Sequence, residues 1–208
     1  MTRVGLLVRG LAGALVGLAL AVLLIGLPGG GHRAQAGPGF EGSLLPPRTP
    51  APDVVLHDEQ GRRVALAGLR GRPYVVAFLS AVCQDVCPVT AQTVRIALDQ
   101  AGGDVPAFAI AVDPPNDTAL AARRFLTRQS LLGRMRFLLG TRAQLQPAWR
   151  GFAVQPVTAT LPHQARIVLV DARGMQRVGY FADDATPEEI AHDLRLLEAE
   201  AAPAGRRV

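Results

Sequence analysis

Lysine is missing from this chain: all 22 of its basic residues are arginine, set against 17 acids in 208 residues. A net charge of +5 raises the question of nucleic acid, but the arginines are scattered. There is no dense run beyond pairs such as Arg123-Arg124 and Arg206-Arg207. Aromatic residues make up only 5%, and no basic stripe is interleaved with them, which argues against a nucleic-acid partner. Charge itself is sparse at 19%, beside 49% hydrophobic residues. That balance excludes a disordered chain and suits a folded core together with a membrane segment. Internal repeats are absent. Thiols are few: the two cysteines, Cys83 and Cys87, stand in one short stretch, "SAVCQDVCPV". A structural staple, a redox couple and a metal claw would each use two cysteines.

Charge is also lacking over the eighteen residues Gly10 to Leu27. As a helix this run is about 27 Å long, close to the thickness of a bilayer's hydrocarbon. Arg3 and Arg9 precede it without an acid, so the positive-inside rule keeps the amino terminus in the cytoplasm and exports the remainder. Ala34-Gln35-Ala36 has the form of a signal-peptide cleavage site, the rival reading. The apolar run is longer than such signals use, and polar residues separate it from Ala36. An uncleaved single-pass anchor in a bacterial inner membrane is expected, with the domain facing the periplasm, an oxidising compartment.

The expected organisation is an anchor (or signal peptide) over 1–28, a Gly/Pro-rich tether over 29–50, a folded domain over 51–202 and a short tail over 203–208. "DVVLHD" and "RRVALAGLRG" read as short strands about a turn. "PYVVAFLS", Pro73 to Ser80, reads as a buried central strand. A helix is expected from Val89 to Ala101, with Pro88 as its first-turn proline. "VPAFAIAVD" is a second buried strand. Asn116-Asp117-Thr118 is expected to cap a helix running to about Leu132. "MRFLLG" is a strand and "TRAQLQPAWRGF" a helix that Pro147 interrupts. "QARIVLVDARG" and "MQRVGYFA" form a strand pair turning at Asp171 to Gly174. The closing helix carries a capping box, Thr186 with Glu189. Strands alternating with helices and ending in a hairpin and a helix predict an α/β sandwich with a mixed sheet.

In such sheets function gathers beyond the carboxyl ends of strands. There the strand ending at Ser80 delivers both thiols, at the opening of a helix whose partial positive charge favours thiolate. His163, in a loop before an apolar strand, is the candidate third group. Two thiolates and an imidazole form a soft donor set that suits copper, Cu(I) or Cu(II), and zinc accepts the same ligands. Against this, a lone histidine is commonly an ordinary loop residue. A disulfide between residues four apart closes so small a loop that it stabilises little.

"CQDVCP", then "VDPPNDT" at Val112 to Thr118, then "PHQARIVLVDARG" resemble, in order and spacing, the Sco/SenC proteins, over roughly residues 50 to 200. The resemblance implies a thioredoxin-like fold behind one transmembrane helix, with Cys83, Cys87 and His163 as copper ligands. It also implies a part in assembling the copper-A centre of cytochrome c oxidase. The partners it implies are the copper-A-bearing subunit and a periplasmic copper chaperone or thiol reductant. A monomer is the default. The alternative function is a thiol–disulfide oxidoreductase that reduces the cysteines of an exported acceptor, with Cys83 and Cys87 as its redox pair.

Other residues weigh less. His57, His192 and His32 are expected to be surface or packing residues. Asp113 is either a turn residue or an acceptor near the site, and Asp85 is either solvated or tunes the thiolates. Trp149 and Phe152 are expected in the core, and Arg123-Arg124 on a solvated helix face.

Overall fold

Apolar runs build the sheet. The computed structural model describes residues 39–157 and 165–202. The anchor over 1–28, His32, His163 and the tail over 203–208 lie outside them. Among the described residues no helix is long and apolar enough to cross a membrane.

Among the described residues, eight strands and four α-helices follow in chain order. They are β1 (Ser43–Leu44), β2 (Val55–His57), β3 (Arg63–Ala65), β4 (Tyr74–Leu79), α1 (Val86–Ala101), β5 (Ala107–Ala111), α2 (Ala119–Arg128), β6 (Met135–Leu138), α3 (Arg142–Gly151), β7 (Arg166–Val170), β8 (Gln176–Phe181) and α4 (Pro187–Ala201). Six strands form one mixed sheet in the order β1-β8-β7-β4-β5-β6, and β2 pairs with β3 in a separate hairpin. β5 runs parallel to β4 and β6, while β7 is antiparallel to β4 and β8. All six residues of β4 and all five of β5 are buried, as strands covered on both faces must be. Burying each such large side chain stabilises by about 1.5–3 kcal/mol. α1 and α4 pack on each other, α2 lies against β6 and α3 against β2.

Several boundaries differ from the sequence reading, each for a local reason. α1 begins at Val86 rather than Val89, so Cys87 is inside its first turn and Pro88 one position further. A first-turn proline loses no helical hydrogen bond, so both placements suit it equally. α2 stops at Arg128, short of Leu132, because Ser130 turns left-handed at φ 54° and Leu131 N–H donates back to Leu126 O at 2.8 Å. Pro147 lies inside α3 without ending it. It and Ala143, four residues earlier, are both exposed, so the carbonyl the missing N–H would have bonded is on the solvent face of the helix.

Residues 39–50, part of the expected tether, belong to the fold. β1 pairs with β8, Phe40 is buried, and Asp193 on α4 accepts the N–H groups of Glu41 and Gly42 at 2.9 and 3.0 Å. Tyr180 on β8 donates its hydroxyl to the same carboxylate at 2.6 Å.

Candidate functional site

The chain leaves β4 at Leu79 and turns through Ser80 to Asp85 into α1. This turn sits at the carboxyl end of the sheet, beside the end of β5. Cys83 N–H donates to Ser80 O at 3.3 Å, closing the turn and leaving Cys83 half-buried. Cys87, one helical turn on, is fully buried in the core. Its sulfur accepts the Ser80 N–H at 3.4 Å and is within hydrogen-bonding reach of the Cys83 thiol. Both thiols are free. Burial pushes the Cys87 thiol far up from its ordinary value, and the Cys83 thiol and Asp117 carboxylate add to the rise against the Ser80 N–H.

Asp117 holds the turn. Its Oδ1 accepts the Ala81 N–H at 2.7 Å and the Ser80 hydroxyl at 3.1 Å, and its Oδ2 accepts the Asp113 N–H at 2.9 Å. A single buried carboxylate thus ties the end of β4 to the loop after β5. Burial raises its pKa to about 6, against the lowering pull of those three hydrogen bonds.

The sequence left two readings of Asp113 open, a turn residue or an acceptor near the site, and did not offer Asp117 as the acceptor. Asp113 is a turn residue: its carbonyl accepts the N–H of Asn116 and of Asp117, and its side chain accepts from Asn116. The helix cap is Thr118 alone, whose hydroxyl accepts the Ala121 N–H at 3.2 Å. Asp117 looks away from the helix that it seemed to cap. The signal was present in "DPPND": two prolines after Asp113 force a tight reversal, which returns the next acid to the sheet edge.

The remaining residues fall as expected or outside. Asp85 is exposed and makes no cap hydrogen bond. Trp149 is buried and donates from Nε1 to Ala111 O at 2.9 Å, and Phe152 is buried against Phe78. His57 is exposed, and His192 is half-buried with Nε2 2.9 Å from Gly39 O. Arg123 and Arg124 are exposed.

His163 is outside the described residues, but both flanks of its loop are described. Val157 N–H donates to Val112 O at 3.0 Å, just past β5. Ala165, fully buried, immediately precedes β7, whose pairing of Ile167 with Ala77 directs it toward the end of β4. Among the described residues, no group of three or more His, Cys, Asp or Glu could hold a metal ion.

A mixed six-stranded α/β sheet with a dithiol turn opening onto a helix defines a thioredoxin-like domain. The particular family follows from the chain as a whole: the SCO1/SenC family model matches residues 48–198, and the chain belongs to that family. Among solved structures it is similar to Bradyrhizobium japonicum ScoI with copper bound. The two are 28% identical over 71% of this chain and 98% of that one, with a TM-score of 0.60. Thermus thermophilus apo Sco1 is 24% identical over 80% and 99%, with a TM-score of 0.61. Arabidopsis thaliana ScoI with copper bound shares the fold at 19% identity over 73% and 99%, with a TM-score of 0.65. No curated protein sequence matches the chain.

Proposed function

We propose that this protein binds copper through Cys83, Cys87 and His163, held by an amino-terminal anchor on the exported side of a membrane. There it delivers the ion to, or prepares, the copper-A site of cytochrome c oxidase. The observation that carries this reading is the pairing of the two sulfurs in one turn at the carboxyl edge of β4. Cys83 is open to a partner there, and Cys87 sits in the core. The Ser80 N–H aimed at Cys87 is suited to an anionic sulfur, while burial without a cation disfavours one. A bound metal ion would supply the missing positive charge and lower the cost of both thiolates. Sulfur ligands favour Cu(I), and an imidazole extends the set to Cu(II).

His163 is supported by reach. Ala165 is at the same edge, and the two intervening peptide units span at most about 7 Å. The membership of the family and the likeness to a copper-bound relative agree with the same chemistry. The apolar run from Gly10 to Leu27, preceded only by arginine, supports the anchor and its orientation.

Copper titration of the reduced full chain against a colorimetric Cu(I) competitor is the test. Retention of one equivalent is expected in the parent chain, loss of tight binding in Cys83→Ser and in Cys87→Ser, and loss of Cu(II) alone in His163→Ala. A parent chain that fails to compete for either oxidation state would overturn the reading.

One observation favours a second reading. The unequal exposure of the thiols fits an attacking Cys83 and a resolving Cys87 in thiol–disulfide exchange. Turnover with an exported disulfide substrate, undiminished in His163→Ala, would favour that function.

A further inference from the structure

The hollow beside Cys83 is larger than the thiol. A groove of about 550 Å³ runs from the dithiol turn to α2, with Val82, Pro88, Ala121, Arg124 and Arg128 among its lining residues. A second hollow of about 400 Å³ continues it over α2, sharing those two arginines and adding Arg123 and Leu120. Three arginines and no acid line the combined surface. None of the three guanidinium groups has a hydrogen-bond or ion-pair partner among the described residues. Apolar side chains around it are unusually open: Val82 is 46% exposed, Leu120 57% and Val89 61%. Gln92 on α1 donates to both the backbone and the side-chain oxygen of Gln129 at 2.9 Å, which fixes the far end of the groove between α1 and α2.

We propose that this groove is the docking face for an acidic protein segment that brings its own cysteine to Cys83. Exposed apolar side chains ringed by arginine are the composition of a protein interface rather than of a solvated surface. Unpaired guanidinium groups ask for carboxylates, which they bind through two parallel hydrogen bonds. The position of Cys83 in the same hollow selects a sulfur-bearing partner over a lipid headgroup, because a soft ion held by thiolate is released most readily to another soft sulfur donor. The inference deepens the proposed function in taking Cys83 as the point of exchange. It adds the charge the partner must carry and the side from which it approaches.

The test uses the reduced, metal-free full chain in detergent and a fluorescent synthetic peptide. The peptide has serines in place of cysteines, flanked by aspartates, and its counterpart has asparagines instead. Anisotropy should show the acidic peptide binding at least about tenfold tighter, with the advantage shrinking as salt rises. Arg124→Glu/Arg128→Glu should abolish that advantage, and Arg124→Gln/Arg128→Gln should reduce it. Arg63→Glu/Arg150→Glu makes the same change of net charge at exposed sites elsewhere and should leave the advantage intact. Equal binding of the two peptides, or equal losses in both charge-reversed chains, overturns the proposal. So does a groove variant that loses only its attachment to phosphatidylglycerol vesicles, which would make the face a membrane contact. Selective peptide binding by a chain that holds no copper would uphold the docking face while overturning the copper function.

Discussion

Asp117 Oδ1 accepts the backbone N–H of Ala81 at 2.7 Å, across 36 residues of chain. The bond fixes the second residue of the dithiol turn to the loop after β5, and the Ser80 hydroxyl and Asp113 N–H meet the same carboxylate. Three donors converge, so an amide in its place must turn its own NH2 against one of them. Asp117→Asn is expected to cost about 1–3 kcal/mol at neutral pH, the penalty of a buried donor left unpaired. It should also loosen the spacing of the two sulfurs. Urea unfolding and the copper competition assay check both effects. An unchanged unfolding midpoint together with unchanged copper affinity would mean that the carboxylate is dispensable.

The same carboxylate makes stability depend on pH with a definite sign. Its folded pKa, raised to about 6, lies above the unfolded value near 3.9, so the folded chain holds the proton more tightly between those limits. Its contribution is therefore fully present below pH about 4 and is lost as pH rises through about 6. The stability of the parent chain relative to Asp117→Asn should increase on acidification from pH 7 to pH 4, by up to roughly 2–3 kcal/mol. A difference that is flat over this range, or a carboxyl carbon resonance titrating near 4, would contradict the burial argument.

Elements with a strong periodic or composition signal were readable in advance. β4 and β5 are continuous apolar runs, and α4 has its capping box of Thr186 and Glu189. What escaped was set by tertiary contact. α2 stops at a left-handed Ser130, and no glycine marks that position. β1 is two residues long, too short for any period, and exists because β8 offers an edge. At the site, the cysteine pair was plain from spacing alone. The role of Asp117 was not, because two of its partners, Ser80 and Ala81, precede it in the chain by the whole of α1 and β5. Asp193 gave a faint warning: it is an acid on the apolar face of α4, among Ile190, Leu194 and Leu197, and such a residue needs buried partners.

Those partners lead to a prediction about the segment that enters the domain. Gly42 lies so close to Tyr180 and Val178 that an added Cβ would overlap both side chains. Gly42→Ala should destabilise by about 1–3 kcal/mol through overpacking. Tyr180→Phe should cost about 1–3 kcal/mol by leaving Asp193 without its shortest hydrogen bond. Both changes should speed amide exchange at Glu41 and Gly42 first, since those N–H groups depend on Asp193. Protection at these two amides that survives either substitution would show that β1 holds the segment unaided.

The two thiols differ in ways that chemistry can read separately. Cys83 is half-buried beside the groove, whereas Cys87 is buried, with its thiol pushed well above the ordinary range. Thiolate is the reactive form, so iodoacetamide should modify Cys83 at least about tenfold faster than Cys87 in the folded metal-free chain. Peptide mass spectrometry after short exposure separates the two. Cys87→Ser places a hydroxyl in an apolar core and should cost about 1–3 kcal/mol, while Cys83→Ser should cost less than about 1 kcal/mol. Both substitutions remove a proposed copper ligand, so their metal affinities should fall together even though their stabilities diverge. If Cys83→Ser instead kept tight copper binding while Cys87→Ser lost it, the loss would trace to damaged folding rather than to a missing ligand, and the paired-sulfur site would have to be abandoned.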